Sequence, residues 1–261
     1  MAIVNVTPDS FADGGVRFDP DRAIADAVQM VADGADILDL GGESTRPGAA
    51  PLPTDEELRR ITPVIEGLRA RVSVPLSIDT YKARVATRAI DLGAAIVNDI
   101  SAFANEPELA GVVARRRAAV VLMHNRGRSS DMYAGATYTD VAADVARELS
   151  ARADIAMAAG IARERIILDP GLGFAKRAEQ TLEALAGLDR IAALGFPVLS
   201  GPSRKSFLKV GLGDIPPADR VWGTAAAVTA SILLGAQIVR VHDVREMVQV
   251  VRVADTIAER L

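Results

Sequence analysis

Residues 166–174 read Ile-Ile-Leu-Asp-Pro-Gly-Leu-Gly-Phe. Three aliphatic residues in succession suit a short strand covered on both faces, as in a parallel sheet flanked by helices. Pro170 has no ladder donor and fixes its own φ, so the strand must stop at Asp169. The carboxylate of Asp169 then stands on the last residue of a buried strand, where it is costly unless something pairs with it. A single aspartate of this kind serves equally well as a helix cap or a structural ion pair. Its meaning depends on whether the pattern repeats along the chain.

Outward from this stretch the pattern does repeat. A long helix is predicted before it, from about Asp140 to Ala159, and another after it, from Glu179 to Leu194. Towards the N-terminus, strands are predicted over Ile3–Val6, Asp36–Leu40, Leu76–Asp79, Ile96–Asn98 and Ala119–Met123. Helices follow them from Asp19 or Asp21 to Gly34, from Asp55 to Arg71, from Lys82 to Leu92 and from Pro107 to Arg117. Towards the C-terminus, Pro197–Ser200 and Gln237–Val241 are strands, with an Ala-rich helix over 220–234 and a last helix running to the end. Eight strand–helix units with no linker between them predict an α/β chain, a (β/α)8 TIM barrel forming one domain over residues 1–261. A doubly wound open sheet usually has fewer units and a glycine-rich turn after its first strand, which the 5–10 segment, NVTPDS, does not supply.

Composition narrows the function. Apolar residues make up 49% of the chain and aromatics only 4%, so the core is built from small aliphatic side chains. With a net charge of −4 and no basic cluster beyond Arg115–Arg117, a nucleic-acid partner is disfavoured. Absence of cysteine excludes disulfides, thiolate metal sites and a cysteine nucleophile. No apolar run reaches membrane-spanning length, and no leader precedes the first strand, so a cytoplasmic location without membrane contact is expected. Residue 1 opens directly on an apolar run, which points to a trimmed or late start.

In such a barrel the reacting groups project from the C-terminal strand ends. Those ends carry Asn5, Asp39, Asp79, Asn98, His124, Asp169, Ser200, and Arg240 with His242. All are polar, and they include both histidines of the chain. Asp79, Asn98 and Asp169 offer mainly acceptors, so they suit a ligand edge rich in N–H donors, such as a flat guanidine-like heterocycle. Lys205 supplies the complementary donor. Arg240 and His242, with Arg46 and the backbone of Gly41–Gly42, make a cationic corner suited to phosphate. A Mg2+ site or a two-acid glycosidase would also use carboxylates, but the chain lacks the aromatic platforms of the latter. A zinc site is disfavoured, since two distant histidines form no HExxH. Residues 201–206, GPSRKS, lack P-loop spacing.

These residues carry a resemblance. NVTPDSFADGG at 5–15, LDLGGESTRPG at 38–48, SIDT at 77–80, ND at 98–99, LMH at 122–124, DPGLGF at 169–174, SRKSF at 203–207 and RVHD at 240–243 resemble, in order and over nearly the whole chain, the dihydropteroate synthase family of pterin-binding barrels. The resemblance implies a homodimer that joins 6-hydroxymethyl-7,8-dihydropterin diphosphate to p-aminobenzoate, with Mg2+ carried by the diphosphate and sulfonamides as competitive inhibitors. By position, Asp79, Asn98, Asp169 and Lys205 would hold the pterin, with Met123 and Phe174 packed beside it. Asn5 would meet the metal, and Arg240, His242, Arg46 and Thr45 the phosphates. Thr45, Pro47, Phe174 and Ser206 would frame the p-aminobenzoate site, with Phe11 closing over it. Asp79, Lys205, Arg240 and His242 would act on the reacting atoms. Taken singly, Met123 and Phe174 read equally as ordinary core, and Ser206 as a helix cap. Glu43 and Arg204 are expected to pair, Asp39 to orient one of the first two loops, and Trp222 to pack on a helix face or at the dimer contact. A methyl-carrying pterin domain shares the barrel, but GGESTRPG and SRKS favour the synthase.

Overall fold

The computed structural model describes residues 1–6, 19–44, 49–127 and 133–261. Among these residues the strands are β1 (Ala2–Asn5), β2 (Leu38–Gly41), β3 (Leu76–Asp79), β4 (Ile96–Asp99), β5 (Ala119–Met123), β6 (Ile166–Asp169), β7 (Leu199–Ser200) and β8 (Ile238–Val239). β1 to β6 pair in chain order and all in parallel. β7 pairs with β8, also in parallel. Parallel bridges Leu168↔Val198 and Ala2↔Val241 join the two pieces, so the hydrogen-bonded ring returns to its starting strand.

The helices are α1 (Pro20–Ala32), α2 (Thr54–Arg69), α3 (Ala83–Asp91), α4 (Glu108–Arg116), α5 (Val141–Ala158), α6 (Ala178–Ala186), α7 (Leu188–Ala192), α8 (Lys209–Leu212), α9 (Val221–Leu233) and α10 (Val244–Ala258). Asp19 caps α1 by accepting from the backbone N–H groups of Asp21 and Arg22, and Asp140 caps α5 through the N–H of Ala143. The helix predicted over 179–194 is two helices. At Gly187 the chain lies so close to Ala142 of α5 that a Cβ would overlap the alanine methyl, and the helix bends there. β7 and β8 are shorter than predicted, and β2 begins two residues late. The short α8 and its flanking 3-10 turns were not anticipated, because four-residue helices carry no periodic signal.

Strand alternation places the site. Ile96, Val121, Ile167 and Leu199, with Met1, Ile37, Ala119 and Ile238, form a cluster of their own, the inside of the barrel. Leu38, Leu40, Ile78, Val97, Leu122 and Leu168 belong instead to the larger core shared with the helices. Successive side chains on a strand point to opposite faces. Two residues beyond Ile37, Ile96, Val121, Ile167 and Ile238 come Asp39, Asn98, Met123, Asp169 and Arg240. The apolar plug and the polar rim are therefore one periodic pattern continued to the strand ends. Ser200 is out of phase with Leu199. It faces the helices, with its hydroxyl 2.8 Å from that of Ser231 on α9, and so is not a rim group.

Candidate active site

Three strands meet at one guanidinium. Arg240 Nε donates to Asp39 Oδ2 at 2.6 Å and Nη2 donates to Asp79 Oδ2 at 2.8 Å. Asn98 Nδ2 also donates to Asp39 Oδ2, at 3.0 Å, which fixes the amide with its oxygen free. Asn98 Oδ1, Asp39 Oδ1 and Ser77 Oγ are buried without a hydrogen-bond partner among the described residues. Such orphans are rare unless a ligand or water completes them. Burial pushes the Asp79 carboxyl up from its ordinary range; Arg240 opposes the rise and Asp39 adds to it.

Across the rim, Asp169 is only 6% exposed. Its Oδ1 accepts the Gly171 N–H at 2.7 Å, and Oδ2 has no partner among the described residues. Burial raises this carboxyl too, against the pull of the Gly171 N–H and of Lys205. Gly171 has φ +65, and a Cβ there would overlap the carbonyl oxygen of His124, so only glycine lets the turn after β6 lie against the end of β5. Lys205 Nζ donates to Leu172 O at 2.8 Å and sits 3.9 Å from the centroid of the Phe174 ring. Burial lowers its ammonium to about 8, with Asp169 opposing. The result is a rim of paired acceptors facing one ammonium donor, an arrangement able to read a flat heterocycle along two edges.

Met123 is buried on the same inward face, and Phe174 is half-buried beneath Lys205. Asn5 is exposed at the end of β1, with no side-chain hydrogen bond among the described residues. Ser206 is exposed on the first residue of a 3-10 turn whose cap position is Lys205, so it makes no capping bond. Phe11, Thr45, Arg46 and Pro47 lie outside the described residues.

Several expectations change. Glu43 pairs with Lys82, not with Arg204; Arg204 forms its ion pair with Asp243. Asp39 holds Arg240 and Asn98 inside the barrel; residues 7–18 and 45–48 of the two loops it was expected to orient lie outside the described residues. Trp222 does not pack on a helix face: it is 76% exposed. The corner at Arg240 is not simply cationic, because two carboxylates flank the guanidinium. His242 is held neutral: burial, with Arg204 and Arg240 nearby, lowers it to about 4. Ser203 Oγ accepts the His242 backbone N–H at 3.1 Å and lies 3.0 Å from Nδ1. We assign the hydroxyl hydrogen to Nδ1, which balances the bond that Ser203 Oγ already accepts and puts the imidazole proton on Nε2. His242 thus offers a neutral N–H donor.

A buried layer that no sequence motif marks lies behind the rim. Lys176 is 1% exposed, and its Nζ lies 2.8 Å from His124 Nδ1. His124 Nε2 lies 3.0 Å from Glu148 Oε2 on α5. The only sequence signal was a lysine two residues beyond a turn that needed a partner. His124 is lowered to about 4, chiefly by burial. An unfolded histidine titrates near 6.5, so between these values the unfolded chain binds more protons. Stability contributed by neutral His124 is present above about 6.5 and lost as pH falls through 4. Urea denaturation should show stability falling by on the order of 2 kcal/mol between pH 7 and pH 5 from this residue, and His124→Gln should flatten that slope. An unchanged slope in the variant would refute the assignment.

A family model described as pterin binding enzyme matches residues 1–242. The dihydropteroate synthase of Synechocystis is 48% identical over 98% of this chain and 89% of its own length. The solved dihydropteroate synthase of Xanthomonas albilineans with 4-aminobenzoic acid superposes with a TM-score of 0.92 at 44% identity, over 98% of this chain and 91% of that one. That of Yersinia pestis in a sulfonamide drug complex gives 0.93 at 40%, over 99% and 93%. The chain belongs to the pterin-binding enzyme family, in its dihydropteroate synthase branch.

Proposed function

We propose that this chain joins 6-hydroxymethyl-7,8-dihydropterin diphosphate to p-aminobenzoate, giving 7,8-dihydropteroate and pyrophosphate for folate biosynthesis. One observation carries the reading: Asn98 and Asp169 bring acceptors without a partner among the described residues to one rim, beside Asp79 paired to Arg240 and with Lys205 as the donor. In this reading residues 1–261 form one pterin-binding domain. Asp169 Oδ2 and Asn98 Oδ1 accept the ring N–H and amino protons, Lys205 donates to a ring acceptor, and Met123 and Phe174 pack against the ring. The Arg240 Nη1 hydrogens and His242 Nε2–H face the departing diphosphate, with Arg46 and Thr45. Thr45, Pro47, Phe174, Ser206 and Phe11 frame p-aminobenzoate.

The donor set fits Mg2+ carried by the diphosphate. Among the described residues no three carboxylates or histidines gather as a metal cage. Asn5 offers one hard amide oxygen, and Mg2+ commonly keeps its waters and takes one or two protein oxygens beside phosphate. Bound there, the ion would neutralise charge growing on the leaving group.

The C–O bond to the diphosphate breaks with its electron pair on the phosphate oxygen, leaving a cation spread over the pterin. The Asp79 carboxylate stabilises that cation, and Arg240 and His242 receive the anion. The neutral arylamine needs no base to attack: its lone pair forms the new C–N bond, and a proton leaves nitrogen for solvent. Asp79→Asn should slow pyrophosphate release by roughly 10²-fold. Release at the unsubstituted rate would remove Asp79 from the reacting centre. Sulfonamides, as isosteres of p-aminobenzoate, should inhibit competitively against it. A homodimer is supported by the exposed Trp222, Val253 and Ile257 on α9 and α10. No described helix is long and apolar enough to cross a membrane.

A further inference from the structure

Lys176 follows the 169–174 turn and is one of the largest side chains fully enclosed by the fold. It has no carboxylate within ion-pair distance among the described residues, although a buried ammonium is costly without one. Its partners are instead three acceptors: His124 Nδ1 at 2.8 Å, Gly171 O at 3.2 Å and Phe174 O at 3.1 Å. An ammonium has three N–H donors, so the count closes. The imidazole is set for this role, because Nε2–H donates to Glu148 and leaves the Nδ1 lone pair for Lys176. Arg126 grips the same carboxylate and stacks 4.0 Å from the Tyr138 ring, whose hydroxyl donates to Ala175 O at 2.9 Å. Burial draws the Lys176 ammonium down to about 7, and Asp169 opposes this.

The two carbonyls that Lys176 holds flank the one that Lys205 holds, Leu172 O. One lysine therefore grips the turn from the core and the other from the rim. We infer that Lys176 is a positioning residue for pterin recognition, fixing the 171–174 turn so that Leu172 O anchors Lys205 and the Phe174 ring lies beneath its ammonium. Lys176 touches no substrate. It acts chiefly through the placement of Asp169 and Lys205, which face the pterin alone, while Phe174 borders both substrates.

The inference rests on the proposed function, and its test is separable from it. Titration calorimetry with 6-hydroxymethyl-7,8-dihydropterin diphosphate, without p-aminobenzoate, should show Kd rising at least about tenfold in Lys176→Met, since small misplacements of a binding group cost up to about 100-fold. Lys176→Gln, which keeps two N–H donors, should fall between. At saturating pterin diphosphate, KM for p-aminobenzoate should rise by clearly less than the pterin Kd does, because only Phe174 of the held turn borders that substrate, a split that general loosening of the fold would not produce. A folded Lys176→Met with unchanged pterin affinity overturns the inference, as does failure of both variants to fold, which would make Lys176 a residue of the fold alone. Pterin binding without pyrophosphate release in the unsubstituted chain would sink the functional reading and leave this one standing. A chain that binds no pterin overturns both.

Discussion

Asp169→Asn is expected to weaken binding of pterin diphosphate by roughly 10²- to 10³-fold, about 3–4 kcal/mol. The side chain keeps its size, and Asn Oδ1 still accepts the Gly171 N–H that shapes the turn. The change falls on Oδ2, which has no partner among the described residues. In the variant an NH2 group points at the ligand edge in place of an acceptor. Two donors then face each other in a site that is 6% exposed, and neither reaches water. Sites built to receive a hydrogen bond discriminate by such factors because the buried groups are left unpaired. Calorimetric affinity within tenfold of the unsubstituted value would mean that Asp169 does not read the pterin.

Arg240→Met should cost about 3–5 kcal/mol of folding stability before any ligand is considered. It removes the one cation shared by Asp39, fully buried, and Asp79, leaving two carboxylates to repel each other. The loss should carry a pH signature. Burial already raises Asp79, and losing the guanidinium removes what opposes the rise. A carboxyl with a raised folded pKa binds a proton that the unfolded chain, near 3.9, has released. Its stability is therefore greatest below about 4 and declines as pH rises through the folded value. Urea midpoints at pH 5 and pH 8 should show the gap to the unsubstituted protein widening with pH. A constant gap would mean that the carboxylates do not depend on Arg240.

The barrel was legible because its signal is repeated. Each inward apolar residue two places before Asp39, Asn98, Asp169 or Arg240 marks a strand, and Pro170 marks where one must stop. Boundaries were less legible where pairing decides them: β7 and β8 shrink to two residues each, although their sequences suit four or five. The rim residues could be named from strand ends, but their pairing could not. Arg240 and Asp39 are 201 positions apart, and no local pattern assigns that guanidinium to carboxylates as well as phosphate. Ser200 misled because a polar residue at a strand end was counted without its phase. Lys82 and Lys176 escaped for a related reason. A lysine inside a fold is an exception to composition, and only the acceptors around it, gathered from Glu43, Leu52 and Glu57 or from His124, Gly171 and Phe174, reveal why it is there.

The β7–β8 pair joins the six-stranded arc by one bridge on each side, which makes these joints the seams of the cylinder. The rim groups are divided between the two pieces: Asp79, Asn98 and Asp169 belong to the arc, while Lys205 and Arg240 follow β7 and β8. A pterin bound as proposed, held by both sets, would work as a clasp across the seams, so that substrate recognition and integrity of the cylinder would draw on the same contacts. By mass action, ligand at a hundred times its Kd adds about 2.7 kcal/mol to the folded state. On that reading the protein is most firmly assembled when it is loaded for reaction.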